Sequence, residues 1–392
     1  MKITRPLVTF LFATCSFLPL SFVGSARKPA AGTHYLAFVG TYTNNKDSKG
    51  IYAFDFDAAA GKLTPKGLAA TTPNPSWLVV HPNGRFVYAA NESGKQSTIT
   101  AFSIDETSSK LNQLNQVPAL GEDPCHLSID KIGKYLFVAN YSSGNVVVFP
   151  ILPDGRLGEH TANVKDVGTL GPNKKRQEGP HAHWVQVSPD NRFLLVADLG
   201  LDAILSYRFD ATKGTLTPNS PPFTKLAAGA GPRHAVFSGS GKSFFVLSEL
   251  DSTVTGFSYD PVTGALRRRS ALSTLPVGSH GRNDAAEIAL LPVGKSSECL
   301  LVSNRGFDGI AITFVDPDKA DLGGPASFFP SGGKEPRHFA IDPTGHFLLT
   351  ENQNSNTITV FRIDPPVLTF PLAKVSEVEV PSPVCLAFYH GQ

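Results

Sequence analysis

The chain of 392 residues carries a formal net charge of +2 and no block of basic residues, which argues against nucleic acid or an anionic membrane surface as its partner. Its four cysteines are too few and too scattered to form a disulfide framework, so a disulfide-stapled fold is not expected. The partner expected from this composition is a small molecule.

The N-terminal stretch has the layout of a secretory signal peptide. Lys2 and Arg5 give a basic start, an apolar run covers residues 7–23, and small residues follow it. The run is short and interrupted by Thr, Ser and Pro, whereas a membrane anchor needs about 20 apolar residues. Residues 1–26 are therefore predicted to be removed, and the mature chain is expected to be exported to the periplasm or secreted, free of the membrane.

A repeat of about 50 residues organises the remaining sequence. Each unit is an apolar strand, a tight turn, a second strand rich in Phe, Leu and Val, a polar loop and two further strands. The units begin at Trp77, His126, Trp184, His234, Ile288 and His338, which are 49, 58, 50, 54 and 50 residues apart. A four-stranded meander of this length is typical of one blade of a β-propeller.

The two ends of the chain supply a seventh blade. A segment starting near Cys385 matches a first strand with nothing after it, whereas YLAFVGTYT and IYAFDFD match second and third strands without a first. The predicted fold class is therefore all-β, a seven-bladed β-propeller of four-stranded antiparallel blades, with the ring closed by N- and C-terminal strands in one blade. Residues 34–392 are expected to form this single domain.

Two positions of the repeat are expected on the same face of the disc, because adjacent strands of a meander run in opposite directions. The residues aligned just before the first strands are Ser76, Cys125, His183, Arg233, Glu287, Arg337 and Val384. The residues aligned at the ends of the second strands are Tyr42, Asn91, Asn140, Asp198, Glu249, Asn304 and Asn352. The recurring Asn is best explained by the repeat's own loops. Glu249, and Arg305 one position beyond its column, depart from the repeat and are better functional candidates.

The segment RQEGPHAHW, residues 176–184, leads into a first strand in the longest repeat unit. It carries His181 and His183, together with Arg176 and Glu178, toward the face that holds the other candidates. Extra loop length on a repeat scaffold is where binding and catalytic residues are commonly found.

Two chemistries fit this group of residues. His181 and His183 alternate along an extended segment and could join Glu178 and His126 around zinc, which needs three or four ligands. The nearby arginines would oppose a divalent cation. They favour an anionic substrate, with a neutral histidine as the base and an arginine holding an oxyanion. We therefore predict a site without a metal or cofactor.

Eleven short motifs, in the same order along the chain, resemble those of the seven-bladed propeller lactonase family. They are FVGTYT, NPSWL, DPCHL, VANYSSGNV, RQEGPHAHW, ADLGLD, GPRHAVF, SELDSTV, AAEI, VSNRGFDGIA and EPRHFAID. The similarity spans residues 35–361, and the family includes a 6-phosphogluconolactonase and fungal carboxy-muconate lactonizing enzymes. The resemblance implies a metal-independent reaction at a lactone carbonyl.

The resemblance places the catalytic group on His181 or His183, Arg233, Glu249 and Arg305. Substrate contacts are predicted for His126, Arg176, Glu178, Glu287 and Arg337.

The leading hypothesis is a hydrolase that opens a sugar or sugar-acid lactone with one of the two histidines as general base. Two alternatives stay open: a lactonizing cycloisomerase that uses the same histidine, and a non-catalytic propeller whose charged face binds a partner. The chain is expected to be a monomer or a weak oligomer.

Overall fold

The computed structural model describes five stretches of the chain, residues 34–44, 47–294, 297–324, 326–363 and 372–389. The predicted signal peptide, residues 1–26, lies outside them. Within the described residues the one helical element is a 3-10 turn at Gly94–Gln96, and no helix is long and apolar enough to cross a membrane.

Strands β1 to β29, numbered in chain order, form seven antiparallel sheets. Blade 1 contains β1 (His34–Thr41), β2 (Gly50–Asp57), β3 (Lys62–Thr71) and β29 (Pro383–Phe388). Blade 2 contains β4 (Pro75–Val80), β5 (Phe86–Asn91), β6 (Thr98–Asp105) and β7 (Lys110–Pro118). Blade 3 contains β8 (Pro124–Ile129), β9 (Tyr135–Asn140), β10 (Asn145–Pro150) and β11 (Ala162–Lys165). Blade 4 contains β12 (Ala182–Val187), β13 (Phe193–Asp198), β14 (Ala203–Asp210) and β15 (Thr215–Lys225).

The remaining three blades follow in the same order. Blade 5 contains β16 (Pro232–Phe237), β17 (Ser243–Ser248), β18 (Thr253–Tyr259) and β19 (Leu266–Ser273). Blade 6 contains β20 (Asp284–Pro292), β21 (Glu298–Arg305), β22 (Gly309–Asp316), β23 (Asp321–Leu322) and β24 (Ser327–Pro330). Blade 7 contains β25 (Pro336–Ile341), β26 (Phe347–Asn352), β27 (Thr357–Arg362) and β28 (Ala373–Glu379).

The blades form a closed ring. The first strands of successive blades contact one another around a full circle, and β29 contacts both β25 and β4. The C-terminal β29 pairs antiparallel with the N-terminal β1, where Cys385 lies opposite Gly40. These contacts confirm the predicted seven-bladed propeller and its closure by both ends of the chain.

The outer strand of blade 6 departs from the four-strand pattern. It is divided into β23 and β24, and both segments pair with β22. Gly323 and Gly324 follow β23, and Gly324 has a φ of +122°, a backbone conformation that suits glycine. The glycine pair therefore interrupts the strand without changing the blade's place in the ring.

Seven apolar cores hold the ring together, one in each gap between neighbouring blades. Successive residues of a strand face opposite sides of its sheet, so one strand supplies two cores. Phe38 and Val39, adjacent in β1, lie in different cores. At the closure, Phe56 of blade 1 packs edge-on against Phe347 of blade 7, with ring centroids 5.6 Å apart. The terminal blade is thus packed by the same kind of contact as the others.

An irregularity recurs near the start of each first strand and positions the polar residues. In all seven blades, the pairing of the first and second strands shifts by one residue there. The residues at these bulges are Ser76, Cys125, His183, Arg233, Glu287, Arg337 and Val384, and we call them the bulge positions. A β-bulge re-aims the side chain of the extra residue. The residues predicted to precede the first strands therefore lie inside them.

The ends of the second strands require a correction of register. Pairing with the first strands makes Thr41, Asn91, Asn140, Asp198, Ser248, Asn304 and Asn352 equivalent. Tyr42 and Glu249 were predicted to lie in this column, but each lies one residue beyond it. The next column, which we call the rim positions, consists of Tyr42, Glu92, Tyr141, Leu199, Glu249, Arg305 and Gln353. Glu249 and Arg305 are therefore equivalent residues of neighbouring blades.

The asparagine column supports the loops, as its recurrence suggested. Asn91 Nδ2 donates to the carbonyl oxygen of Pro73 at 2.7 Å, and Asn140 Nδ2 donates to that of Ala119 at 3.2 Å. Both acceptors lie in the loops that lead into the first strands. These buried amides thus tie the end of the second strand to the loop that precedes the first strand.

Candidate active site

A cavity of about 300 Å³ opens where the bulge positions meet the rim positions. Its lining consists of Glu92, Cys125, Tyr141, Arg176, His183, Glu249, Arg305 and Arg337. Arg176 comes from the loop before β12, and the other residues belong to the two columns. The volume lies at the small end of the range for small-molecule sites, roughly 300 to 1,000 Å³.

Glu249 is the centre of an ion-pair cluster in this cavity. Its side chain is only 4% exposed, and three guanidinium groups surround its carboxylate. Arg176 Nη2 lies 2.5 Å from Oε1, while Arg233 Nε and Arg305 Nη2 lie 3.0 and 2.9 Å from Oε2. A carboxylate shared in this way fixes the three cations relative to one another.

The cluster keeps its charges at neutral pH. Burial alone would raise the pKa of the Glu249 carboxyl, but the charges of Arg305 and Arg233 outweigh burial and hold this pKa below its ordinary value. Burial and the neighbouring Arg305 lower the pKa of Arg233 to about 10, which still leaves it protonated at pH 7. Three arginines against two glutamates among the lining residues make the cavity positive.

His183 is the histidine that lines the cavity. It is buried, and its Nδ1 lies 3.6 Å from Cys125 Sγ. Burial, followed by the charge of Arg233, holds the pKa of His183 well below its ordinary value, so the ring is neutral at pH 7. Its Nε2 makes no hydrogen bond with the described residues and is available to accept a proton. Burial also raises the pKa of Cys125, so this thiol is not an activated nucleophile.

His181 has a different environment. Its ring stacks on Tyr141 with centroids 4.4 Å apart, and its Nδ1 lies 3.0 Å from the carbonyl oxygen of Tyr141. Its Nε2 lies 3.3 Å from Glu178, whose side chain is 60% exposed. Neither His181 nor Glu178 contributes to the cavity lining. Of the two histidines that the sequence left open, His183 is the one placed to meet a ligand there.

Glu92, Tyr141 and Tyr42 lie at the rim, and the sequence pattern did not indicate a role in the site for them. Tyr42 donates a hydrogen bond from its hydroxyl to Glu92 Oε2 at 2.8 Å, and the Arg337 guanidinium lies 5.3 Å from the centre of the Tyr42 ring. Within the described residues, Arg337 has no carboxylate within ion-pair distance. Once the bulges define the register, these residues fall in the same column as Glu249, which is the signal that could have identified them.

A buried layer of aromatic and histidine rings lies beside the cluster. Trp77 contacts His126, His234 and His338, with centroids 4.4, 5.2 and 5.3 Å apart. His126 belongs to this layer and not to the cavity lining. Burial lowers the pKa of His126 to about 3, so it is neutral.

Glu287 also belongs to this layer. Its Oε2 lies 3.1 Å from His234 Nδ1 and 3.6 Å from His338 Nε2. Arg233 Nη1 lies 3.2 Å from His234 Nε2, and a guanidinium can only donate. His234 is therefore neutral, accepting from Arg233 and donating to Glu287. His234 thus contacts Arg233 at Nη1, whereas Glu249 contacts it at Nε.

Comparison with known proteins identifies the family. Residues 36–388 match the family described as "Lactonase, 7-bladed beta-propeller". The chain belongs to the seven-bladed β-propeller lactonase family. It is a lactonase, an enzyme that opens the ring ester of a lactone.

Three relatives illustrate the range of this lactonase family. A 6-phosphogluconolactonase of Bacillus subtilis is 33% identical over 358 residues, which cover 91% of this chain and 99% of the relative. A 6-phosphogluconolactonase of Formosa agariphila is 32% identical, covering 83% of this chain and 92% of its own. The solved structure of the periplasmic gluconolactonase of Pseudomonas aeruginosa has a TM-score of 0.84 and 33% identity, and the match covers 91% of this chain and 99% of that one.

The histidine loop of this lactonase is held by a buried pair of carboxyl groups. Asp198 Oδ1 accepts hydrogen bonds from the backbone N–H groups of His181 and Leu201, each at 2.9 Å. Asp198 and Asp166 interact side chain to side chain, and the Tyr207 hydroxyl donates to Asp166 at 3.2 Å. Burial, followed by the charge of Asp198, raises the pKa of Asp166 well above its ordinary value. Asp166 Oδ2 and Asp198 Oδ2 are buried and have no other hydrogen-bond partner among the described residues, so we predict that the pair shares a proton.

Replacing Asp166 with asparagine is expected to stabilise the protein at alkaline pH. A raised folded-state pKa means that the folded state binds the proton more tightly, so the native protein loses stability as pH rises above the unfolded value toward the folded one. Asparagine donates to Asp198 without needing that proton. The unfolding free energy of Asp166→Asn should exceed that of the native protein by about 1 kcal/mol at pH 8, with a smaller gain at pH 5. Thermal unfolding at both pH values measures this difference in stability, and the exposed Asp318→Asn is the control. If Asp166→Asn is less stable than the native protein at both pH values, the shared proton is refuted.

The zinc alternative lacks a supporting arrangement. In the stretches that the structure describes, no group of three or more His, Cys, Asp or Glu side chains is arranged to hold a metal. His183 faces the cavity, His181 stacks on Tyr141, and His126 lies in the ring layer. Reaction without a metal remains a prediction that a chelator can test.

Proposed function

We propose that this lactonase hydrolyses the lactone of a sugar acid, of the gluconolactone or 6-phosphogluconolactone type, without a metal. The observation that carries the proposal is the neutral imidazole of His183 beside arginines in one cavity of the lactonase fold. The names of the Bacillus and Pseudomonas relatives support the substrate class.

His183 is assigned as the general base. Its Nε2 takes a proton from water, and the water oxygen bonds to the lactone carbonyl carbon. The carbonyl oxygen then becomes an oxyanion, which the guanidinium groups of Arg305 and Arg337 hold at the cavity wall. As the ring C–O bond breaks, the imidazolium returns its proton to the ring oxygen, which leaves as a hydroxyl. The product hydroxy acid ionises at neutral pH and acidifies the medium.

Glu249 is assigned a positioning role. Its depressed pKa means that it holds no proton to transfer at neutral pH. It orients Arg176, Arg233 and Arg305, so that the cations are in place before the oxyanion forms. Preorganised charge of this kind needs no rearrangement as the reaction proceeds. We propose that Glu249 orients these arginines and does not transfer a proton.

A pH-indicator assay on a panel of lactones tests the function. We expect release of acid above the spontaneous rate from gluconolactone or 6-phosphogluconolactone, at the same rate with and without a chelator. Carboxy-muconate should not be converted. Conversion of that diacid without lactone opening would support the cycloisomerase alternative. A rate that falls with chelator would support a metal site at His181 and His183.

The pH profile of the reaction is expected to lack the inflection of an ordinary histidine. Because burial lowers the pKa of His183, its base form persists below pH 6.5. The value of kcat/KM, corrected for spontaneous opening, should show no acid limb centred near the ordinary histidine pKa of about 6.5, and any decline should come at lower pH. An acid limb with its midpoint near pH 6.5 or above would contradict the buried neutral base.

We further propose that the enzyme acts outside the cytoplasm. The basic and apolar pattern of residues 1–26 and the periplasmic location named for the Pseudomonas relative support export. Fractionation of cells expressing the full chain, with mass measurement of the product, is expected to find a protein shortened near residue 26 outside the cytoplasm. Full-length protein confined to the cytoplasm would refute export.

A further inference from the structure

A second depression lies on the same face, next to the active-site cavity. Its volume is about 610 Å³, roughly twice that of the cavity. Glu92 lines both spaces, and Tyr42, which lines the depression, is the residue under the Arg337 guanidinium. The Tyr42–Glu92 pair therefore forms the common wall, and we call the depression the outer groove.

The outer groove has the opposite charge character to the cavity. Its lining includes the carboxylates of Glu92 and Asp123 and, among the described residues, no Lys or Arg. The cavity beside it holds three arginines. An anionic group is therefore attracted into the cavity and repelled by the outer groove, so a ligand that spans both has its charged or oxyanion-forming end inside and a neutral end outside.

Several polar groups of the outer groove have hydrogen-bonding capacity left. Ser93 Oγ and the side-chain amide of Gln353 make no hydrogen bond with described residues, and Glu92 uses only Oε2, toward Tyr42. Asn44 accepts from Asn74, and its own amide protons have no acceptor within the described part of the chain. Hydroxyl and amide donors beside carboxylate acceptors match the alternating donor and acceptor character of a sugar's hydroxyl groups.

We propose that the outer groove binds an uncharged glycosyl substituent on the sugar-acid lactone whose ring is opened in the cavity. The substrate class is then an oligosaccharide lactone, with the lactone unit against His183 and the next sugar unit between Ser93 and Gln353. This inference rests on the proposed function, because it places the lactone carbonyl in the cavity. It extends that function from a single sugar acid to a glycosylated one.

The test compares gluconolactone with cellobionolactone, the same lactone carrying a β-linked glucosyl unit. Ser93 has a φ of −142°, outside the left-handed region that favours glycine, and Ser93→Trp places a larger side chain in the outer groove. This variant should lower kcat/KM for cellobionolactone about tenfold or more, the effect of losing one or two hydrogen bonds, and leave gluconolactone within about twofold. Gln353→Ala should shift the ratio in the same direction. Ser279→Trp, in the exposed loop between blades 5 and 6, is the matched control and should change neither value.

The outcomes separate the two proposals. Selective loss with cellobionolactone supports the outer groove as a sugar subsite. If the native enzyme opens gluconolactone but opens cellobionolactone at least 100-fold less well, or if Ser93→Trp lowers both rates equally, the groove proposal is overturned and the lactonase site stands. If the native enzyme opens neither lactone, the proposed function fails and the subsite fails with it.

Discussion

Glu249→Gln is expected to abolish most lactone opening and to destabilise the fold. The substitution keeps the side chain's shape but removes the negative charge that Arg176, Arg233 and Arg305 share. Breaking a buried pair by neutralising one partner costs about 3 to 5 kcal/mol, because the other charges stay buried without compensation. With the arginines no longer held, kcat/KM should fall by about 10² to 10³-fold.

Two measurements check this expectation for Glu249→Gln. Thermal unfolding should show a clearly lower midpoint than the native protein, and phosphate should recover part of the loss because an anion bound in the cavity stabilises the folded state. The exposed Glu178→Gln is the control and should unfold like the native protein. A Glu249→Gln protein with native stability and native turnover would contradict the role of this carboxylate.

Arg337→Ala is expected to lower turnover strongly while the fold stays intact. Arg337 lines the cavity, lies over the Tyr42 ring and has no carboxylate partner among the described residues, so its N–H groups are free to bind an oxyanion. Loss of one oxyanion donor costs about 10² to 10³-fold in kcat. Burial works against the charge of Arg337, but the nearby carboxylates of Glu92 and Glu249 raise its pKa, so the donor stays protonated throughout the assay range.

The control for Arg337→Ala is another arginine on the same face. Arg282 has a 76% exposed side chain and pairs with Asp284, and Arg282→Ala should keep kcat/KM within about twofold. Arg337→Lys should recover only part of the rate, since an ammonium cannot reproduce the fork of the guanidinium. If Arg337→Ala raises KM alone and leaves kcat unchanged, this arginine binds the ground state and does not hold the oxyanion.

The fold could be predicted from the sequence because the propeller repeats one simple unit seven times. Each blade combines a period-two apolar strand pair with a tight turn, and the partial blades at the two ends complete each other, as the pairing of Cys385 opposite Gly40 confirms. The alternation of side chains along each strand is enough to predict which residues face which core. Phe38 and Val39 thus enter different cores although nothing else in their local sequence distinguishes them.

The candidate site could be predicted only in part, because a bulge moves the register by one residue without altering the apolar pattern. The bulge positions align with one another in the sequence repeat, so the sequence indicates His183, Arg233 and Arg337 as site residues. The rim positions do not align in the same way, because the repeat pattern places Glu249 with Asn91, whereas strand pairing places it with Glu92. The functional potential of Glu92 and Tyr141 was therefore missed.

The sequence also does not show which of these side chains reach the cavity and which lie in the buried layer of rings beside it. His126 directly follows a bulge position, and its ring packs against Trp77 in a neighbouring blade. Glu287 occupies a bulge position like Arg337, yet its carboxylate contacts His234 and His338. Which side chains reach the cavity depends on contacts between residues about 50 positions apart, and spacing within one repeat does not contain that information.

The most direct test of the central claim is the structure of the protein with the lactam analogue of gluconolactone, in which a ring N–H replaces the ring oxygen and hydrolysis is suppressed. We expect the lactam to occupy the cavity beside Glu249, with its carbonyl oxygen within hydrogen-bonding distance of Arg305 or Arg337 and its carbonyl carbon facing His183 Nε2. A lactam bound only elsewhere on the propeller, with the cavity free of it, would contradict the assignment of these residues to lactone opening.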